Sequence, residues 1–132
     1  MKIVAPITTL AIIILVPVFI RLALKVIKQR VSHQVAIGSA GHADLEAAIR
    51  AHGNFAEYVP LGLVLVLCAE INGSPVWLAG SVALLLVAGR LFHAAAIPSG
   101  DLPNRIRGMK LTFASLGLGV IANLVPLVTQ MM

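Results

Sequence analysis

Residues 3–20 read IVAPITTLAIIILVPVFI, an unbroken stretch of 18 positions without a charge. At about 1.5 Å of rise per residue, a helix of that length nearly crosses a hydrocarbon core of about 30 Å. Residues 111–132 form a second such stretch, 22 positions long. The middle of the chain differs. Residues 58–69 give only 12 uncharged positions and residues 76–89 only 14, too few to span. Each reaches spanning length only by taking in its neighbours: Arg50, Asn54 and Glu57 for the second helix, Arg90 and His93 for the third. Ionisable groups at that depth are costly and mark functional positions or helix–helix contacts.

Working outward, the whole composition agrees. Of 132 residues, 59% are hydrophobic and 11% charged, with a mean hydropathy of +0.99. Soluble domains run at about 45–50% apolar and about 25% charged. This excludes a soluble enzyme, a disordered chain and a disulfide scaffold; Cys68 is the single cysteine. The net charge of +5 raises nucleic acid as a partner, but the basic residues form no groove with interleaved aromatics, so none is expected. The expectation is an all-α integral membrane protein, a four-helix bundle in one domain over residues 1–132, with helices at about 3–28, 45–71, 75–97 and 106–130.

The breaks between helices carry their own signals. Residues 38–44, GSAGHAD, are a polar loop, with Asp44 placed to cap the second helix and Glu46 in its first turn. Asn72-Gly73-Ser74-Pro75 is a tight turn, and Pro75 suits the first position of the third helix. Residues 98–104, PSGDLPN, separate the third and fourth helices. With four spans, both termini and the 72–75 turn share one side, which holds Lys2 alone. Arg21, Lys25, Lys28, Arg30 and Arg50 gather around the first long loop, and Arg90, Arg105, Arg107 and Lys110 around the second. The positive-inside rule then puts both long loops in the cytoplasm and both termini opposite. A cleaved signal peptide fits poorly, because the basic cluster follows the first apolar run.

At about 100° per residue, Arg50, Asn54 and Glu57 fall at roughly 0°, 40° and −20° on one face of the second helix. Tyr58 lies beside them and His52 projects nearly opposite. Pro60 cannot donate to the carbonyl of Ala56 and loosens the backbone there. A cation, an amide and a carboxylate so aligned can hold a zwitterionic ligand, or simply bond other helices and fix the bundle; the spacing is compatible with both. For Arg90 a structural buried pair with Glu57 is expected first and a ligand role second.

Residues 50–61, RAHGNFAEYVPL, resemble the signature of the MAPEG superfamily, the membrane-associated proteins of eicosanoid and glutathione metabolism. Every fixed position of Arg-Ala-(His or Gln)-x-Asn-x-x-Glu-x-x-Pro is met, and the resemblance extends to four spans and a positive first loop. It implies a homotrimer in a bacterial inner membrane that binds glutathione as co-substrate between protomers. It also implies that Arg50, Asn54, Glu57 and Tyr58 contact the tripeptide, with His52 at the His-or-Gln position and Arg30 at a basic position able to reach a carboxylate. Glutathione's carboxylates, ammonium and amides suit those side chains. The run from Gly89 to His93 resembles the third-helix motif of Arg90 followed by an aromatic; many members carry Tyr where His93 and Ile97 stand here.

Pro103-Asn104-Arg105 resembles the element that, in microsomal glutathione transferases, supplies an arginine to the glutathione thiolate, so the resemblance makes Arg105 the catalytic residue. A fixed cation at a helix N-terminus lowers a thiol pKa from about 8.5. The implied activity is conjugation of glutathione to lipophilic electrophiles arriving from the bilayer, or reduction of lipid hydroperoxides. The alternative is a lipid- or glutathione-binding membrane protein without catalysis. A small four-helix exporter is the remaining rival, but its essential carboxylate lies in a first helix, and here that helix has none. No HExxH and no second cysteine point to a metal. Cys68 reads as an inert core thiol, Asn123 as a helix–helix hydrogen bond, Ala114, Ser115, Gly117 and Gly119 as a close-packing face, and Trp77 as an interfacial anchor.

Overall fold

Four helices account for nearly the whole of the computed structural model, which describes residues 3–97 and 100–131: α1 (Pro6–His33), α2 (Ala43–Ile71), α3 (Val76–Ala96) and α4 (Leu102–Met131). All four are long and apolar enough to cross a membrane. Lys2, counted above for orientation, lies outside the described residues, as do Pro98 and Ser99 of the second long loop.

The helix ends depart from the expected ones for local reasons. α1 begins at Pro6, whose missing N–H costs nothing in a first turn. It continues past Lys28 because residues 25–33 hold no helix breaker, and it stops where Gln34 adopts a left-handed conformation, φ 55°. Asp44 is not the cap of α2. His42 holds that position, while the Asp44 carboxylate takes His33 Nε2 at 2.9 Å. Pro75 stands one residue before α3 rather than in it, its carbonyl receiving the N–H groups of Leu78 and Ala79. α4 starts four residues earlier than expected. Asp101 accepts the Asn104 N–H at 3.0 Å, and Pro103 fits the first turn because it has no N–H to lose.

The helices alternate in direction. Glu70, at the end of α2, accepts hydrogen bonds from the N–H groups of Ile7 and Thr8 at 2.9 and 2.7 Å and from the Thr8 hydroxyl at 2.6 Å. Gln130 donates to the Asn72 carbonyl. These contacts gather the start of α1, the 72–75 turn and the end of α4 at one end of the bundle. Among the described residues that end carries no lysine or arginine; the cations stand at the other.

α3 and α4 pack most closely. Buried positions on α4 are Gly108, Thr112, Ser115, Gly119, Ala122 and Pro126, and those on α3 include Ala79, Val82, Leu86, Gly89, His93 and Ala96. Both alternate steps of three and four, the period of a seam between supercoiled helices. The seam is tight at one point: a Cβ on Gly108 would lie 2.7 Å from the Gly89 carbonyl oxygen and 2.8 Å from the His93 nitrogen. Further along, Ser115 donates to the Val82 carbonyl at 2.7 Å and Asn123 to that of Leu65 at 3.0 Å. Asn123 is thus a helix–helix bond, as expected. The expected small-residue face holds only in part: Gly119 packs under Leu65 and Val82, whereas Gly117 faces open space. Outward, Leu10, Ile13, Leu84 and Val120 are exposed, as lipid-facing side chains are, and so is Trp77 beside the turn.

Candidate functional site

The tight α3–α4 crossing decides where Arg90 goes. Its side chain is 1% exposed, beneath the cationic end of the bundle. Nη2 donates to Thr112 Oγ1 at 2.6 Å, within reach only because Gly89 and Gly108 bring the two helices together. Nη1 donates to Asn54 Oδ1 at 2.8 Å, and the guanidinium carbon stands 5.7 Å from the centre of the Tyr58 ring. The Met109 sulfur lies 3.4 Å from Nη2, and Nε is buried without a hydrogen-bond partner among the described residues.

Glu57, expected as the partner of Arg90, is not. It lies on the exposed side of α2, roughly 60° around the helix from Asn54, while Asn54 turns inward. The buried cation is therefore held by neutral acceptors and an aromatic face. Such a charge is expensive unless its donors are occupied.

Above this layer lies a cavity of about 640 Å3, lined by Arg50, Asn54 and Glu57 of α2, His93 of α3 and Arg105 of α4. Glu46 also lines it, and takes Arg50 Nε at 3.0 Å. That pair is largely exposed, so it contributes little to stability and leaves Arg50 free to exchange partners. Arg105 stands exposed in the first turn of α4, where the helix dipole adds to its positive field. Asn54 meets Arg90 with its carbonyl, so its amide donors are the ones left for the cavity.

Five sequence-predicted residues thus meet at one cavity, and Arg90 supports them from below. The other three stand apart. Tyr58 is turned into the bundle, edge-on to Phe113 at 5.5 Å between ring centres. His52 faces α1, its ring 4.9 Å from that of Phe19, with Nε2 buried and without a hydrogen bond among the described residues. Arg30 wraps the first loop, donating to the carbonyls of Ala36 and Gly38 at 3.0 and 3.1 Å.

Thr112 and Gly108 belong to the site's framework and were missed, because a threonine and a glycine in an apolar helix carry no signal until their partner helix is known. Asp101 was missed as well, read as part of the break, although an Asp just before a Pro-bearing first turn is a helix-start signal. Cys68 is half-buried beside Asn72 and Asn123, far from the cavity. No group of three metal-ligating side chains occurs among the described residues.

Residues 7–125 match the model of the MAPEG family. The chain is 39% identical over 99 residues to the inner membrane protein YecN of Escherichia coli K12, covering 75% of this chain and 76% of that protein. The protein of the same name from Escherichia coli O6:H1 matches to the same extent. No solved structure matches. The cavity-lining residues of α2 fall inside the matched region, and with a family match across almost its full length and a relative at this identity, the chain belongs to the MAPEG family.

Proposed function

We propose that the protein binds glutathione in the α2–α3–α4 cavity, holds it as the thiolate, and delivers it to lipophilic molecules that enter from the bilayer. The observation that carries this reading is the convergence of Arg50, Asn54, Glu57, His93 and Arg105 from three helices on one space of about 640 Å3. That volume falls in the range of small-molecule sites, about 300–1,000 Å3. Arg50 offers a fork for a carboxylate, Glu57 an acceptor for the ammonium, and Asn54 amide donors for a peptide carbonyl. Arg105 stands where a thiolate gains most from a fixed cation at a helix start.

In conjugation the thiol proton leaves to solvent, and the sulfur lone pair forms a C–S bond as the electrophile's leaving group departs with its bonding electrons. With a hydroperoxide the thiolate attacks the terminal oxygen, the O–O bond breaks and the alcohol leaves. A second glutathione then reduces the sulfenic acid to the disulfide and water.

The active form in this reading is a homotrimer, an assembly that rests on membership of the MAPEG family. Its place is a bacterial inner membrane, as the name of the Escherichia coli relative has it for that protein, with the cationic end cytoplasmic. His93 and Ile97, where many relatives carry tyrosine, favour one second reading: a protein that binds glutathione or lipid without catalysis.

Calorimetry of glutathione binding to the detergent-solubilised protein, beside Arg50→Ala and Glu57→Gln, tests the site. Saturable binding weakened by both variants supports it, and no binding to a monodisperse wild type refutes it. Thiolate absorbance at about 240 nm on adding glutathione, lost in Arg105→Ala, separates the enzyme from the binder.

A further inference from the structure

Arg21, Lys25 and Lys28 of α1 play no part in that site. Arg21, Lys25 and Lys28 fall at roughly 0°, 40° and −20° around the helix, a single stripe. Arg30 points the other way, onto the first loop. Among the described residues no hydrogen bond or ion pair reaches the stripe, and the acids are spent elsewhere. Asp44 holds His33, Glu46 holds Arg50, Glu70 caps α1 at the far end and Asp101 caps α4, while Glu57 lines the cavity on α2. Three cations thus share one face with no protein counter-charge.

Arg21 is the first charge after the uncharged stretch of residues 3–20, so it stands where hydrocarbon gives way to headgroups. It also forms the rim of a groove of about 230 Å3 between α1 and α3, whose floor is Val18, Leu22, Leu91, Ala94 and Ala95. An apolar slot running into the membrane, with an arginine at its mouth and two lysines above it, matches one kind of occupant. It needs a phosphate at the depth of Arg21 and a hydrocarbon chain below it.

We propose that the α1–α3 groove binds one phospholipid of net negative headgroup. Its phosphate sits on the guanidinium of Arg21, its headgroup against Lys25 and Lys28, and an acyl chain lies along Val18 and Leu91. Each basic residue near an anionic surface is worth about fivefold in partitioning, so the stripe supplies about a hundredfold preference for a negative over a zwitterionic lipid.

The test is lipid retention. Protein reconstituted into vesicles of equal dioleoyl-phosphatidylglycerol and dioleoyl-phosphatidylcholine is extracted in mild detergent, and the lipids that stay bound are quantified by mass spectrometry. The expected result is strong enrichment of phosphatidylglycerol. It falls at least tenfold in R21Q/K25Q/K28Q, persists in R107Q/K110Q, and is also lost in Ala94→Phe, which fills the groove and keeps every charge. Melting temperatures in detergent alone check that each variant is folded. Equal retention of the two lipids overturns the proposal. So does an equal loss in R107Q/K110Q, which would mean a general positive field, and so does displacement of the lipid by millimolar inorganic phosphate, which would mean a free-anion site.

Discussion

Arg90 Nη1 lies 2.8 Å from Asn54 Oδ1, so a fully buried cation of α3 sets the orientation of an amide that borders the cavity. With the carbonyl side engaged, the donor side is the one left to face the cavity. The same guanidinium is held from the other side by Thr112, whose hydroxyl in turn donates a hydrogen bond to the Gly108 carbonyl at 2.8 Å. Support and ligand-facing group form one chain across three helices.

Thr112→Val keeps the shape and removes Arg90's closest acceptor. The loss of a buried hydrogen bond to a charged group costs about 1–3 kcal/mol, read as a lower melting temperature in detergent. Arg90→Lys is expected to do no better than Thr112→Val, since an ammonium cannot reach Asn54 and Thr112 together in the planar fork.

Gly108→Ala places a methyl 2.7 Å from a backbone oxygen and 2.8 Å from a backbone nitrogen of α3. Backbone cannot step aside, so α3 and α4 must separate, at about 1–3 kcal/mol. Gly117→Ala, on the same helix with nothing within 4 Å, is the control and should leave the melting temperature unchanged or slightly raised.

Glu70→Ala removes three hydrogen bonds at the start of α1. The N–H groups of Ile7 and Thr8 lose their acceptor, costing about 1–2 kcal/mol. Hydrogen exchange should accelerate at those two amides and leave the cavity end unaffected. The proposed glutathione binding should survive.

Asp101→Ala takes away the cap that starts α4 at Leu102. The first turn should fray at a cost of about 1 kcal/mol, and Arg105 sits in that turn. The proposed thiolate absorbance should fall in parallel, with the melting temperature little changed. A full thiolate signal in Asp101→Ala would show that the placement of Arg105 does not depend on the cap.

The fold was legible because its signals are local. Two terminal uncharged runs close to the length of a bilayer core, Pro and Gly at the breaks, and cations gathered around two loops are all readable along one strand of text. The face of Arg50, Asn54 and Glu57 was equally legible, since helical spacing alone places side chains three, four and seven apart together. Helix ends were less so. Whether residues 29–33 or 102–105 are helical depends on a left-handed Gln34 and on Asp101, each worth about a kilocalorie per mole.

What the sequence by itself determined is the number of membrane-length helices, the end of the bundle that carries the cations, and which side chains of α2 share a face. Only the tertiary structure decided that Arg90 turns to Asn54 and Thr112 rather than to Glu57, that Glu70 caps a helix more than sixty residues away, and that His93 and Arg105 reach one cavity with α2. The reason is distance in the chain. Periodicity fixes directions within a helix, but the partner across an interface depends on how closely two helices approach, and here that rests on Gly89 and Gly108 lacking a side chain.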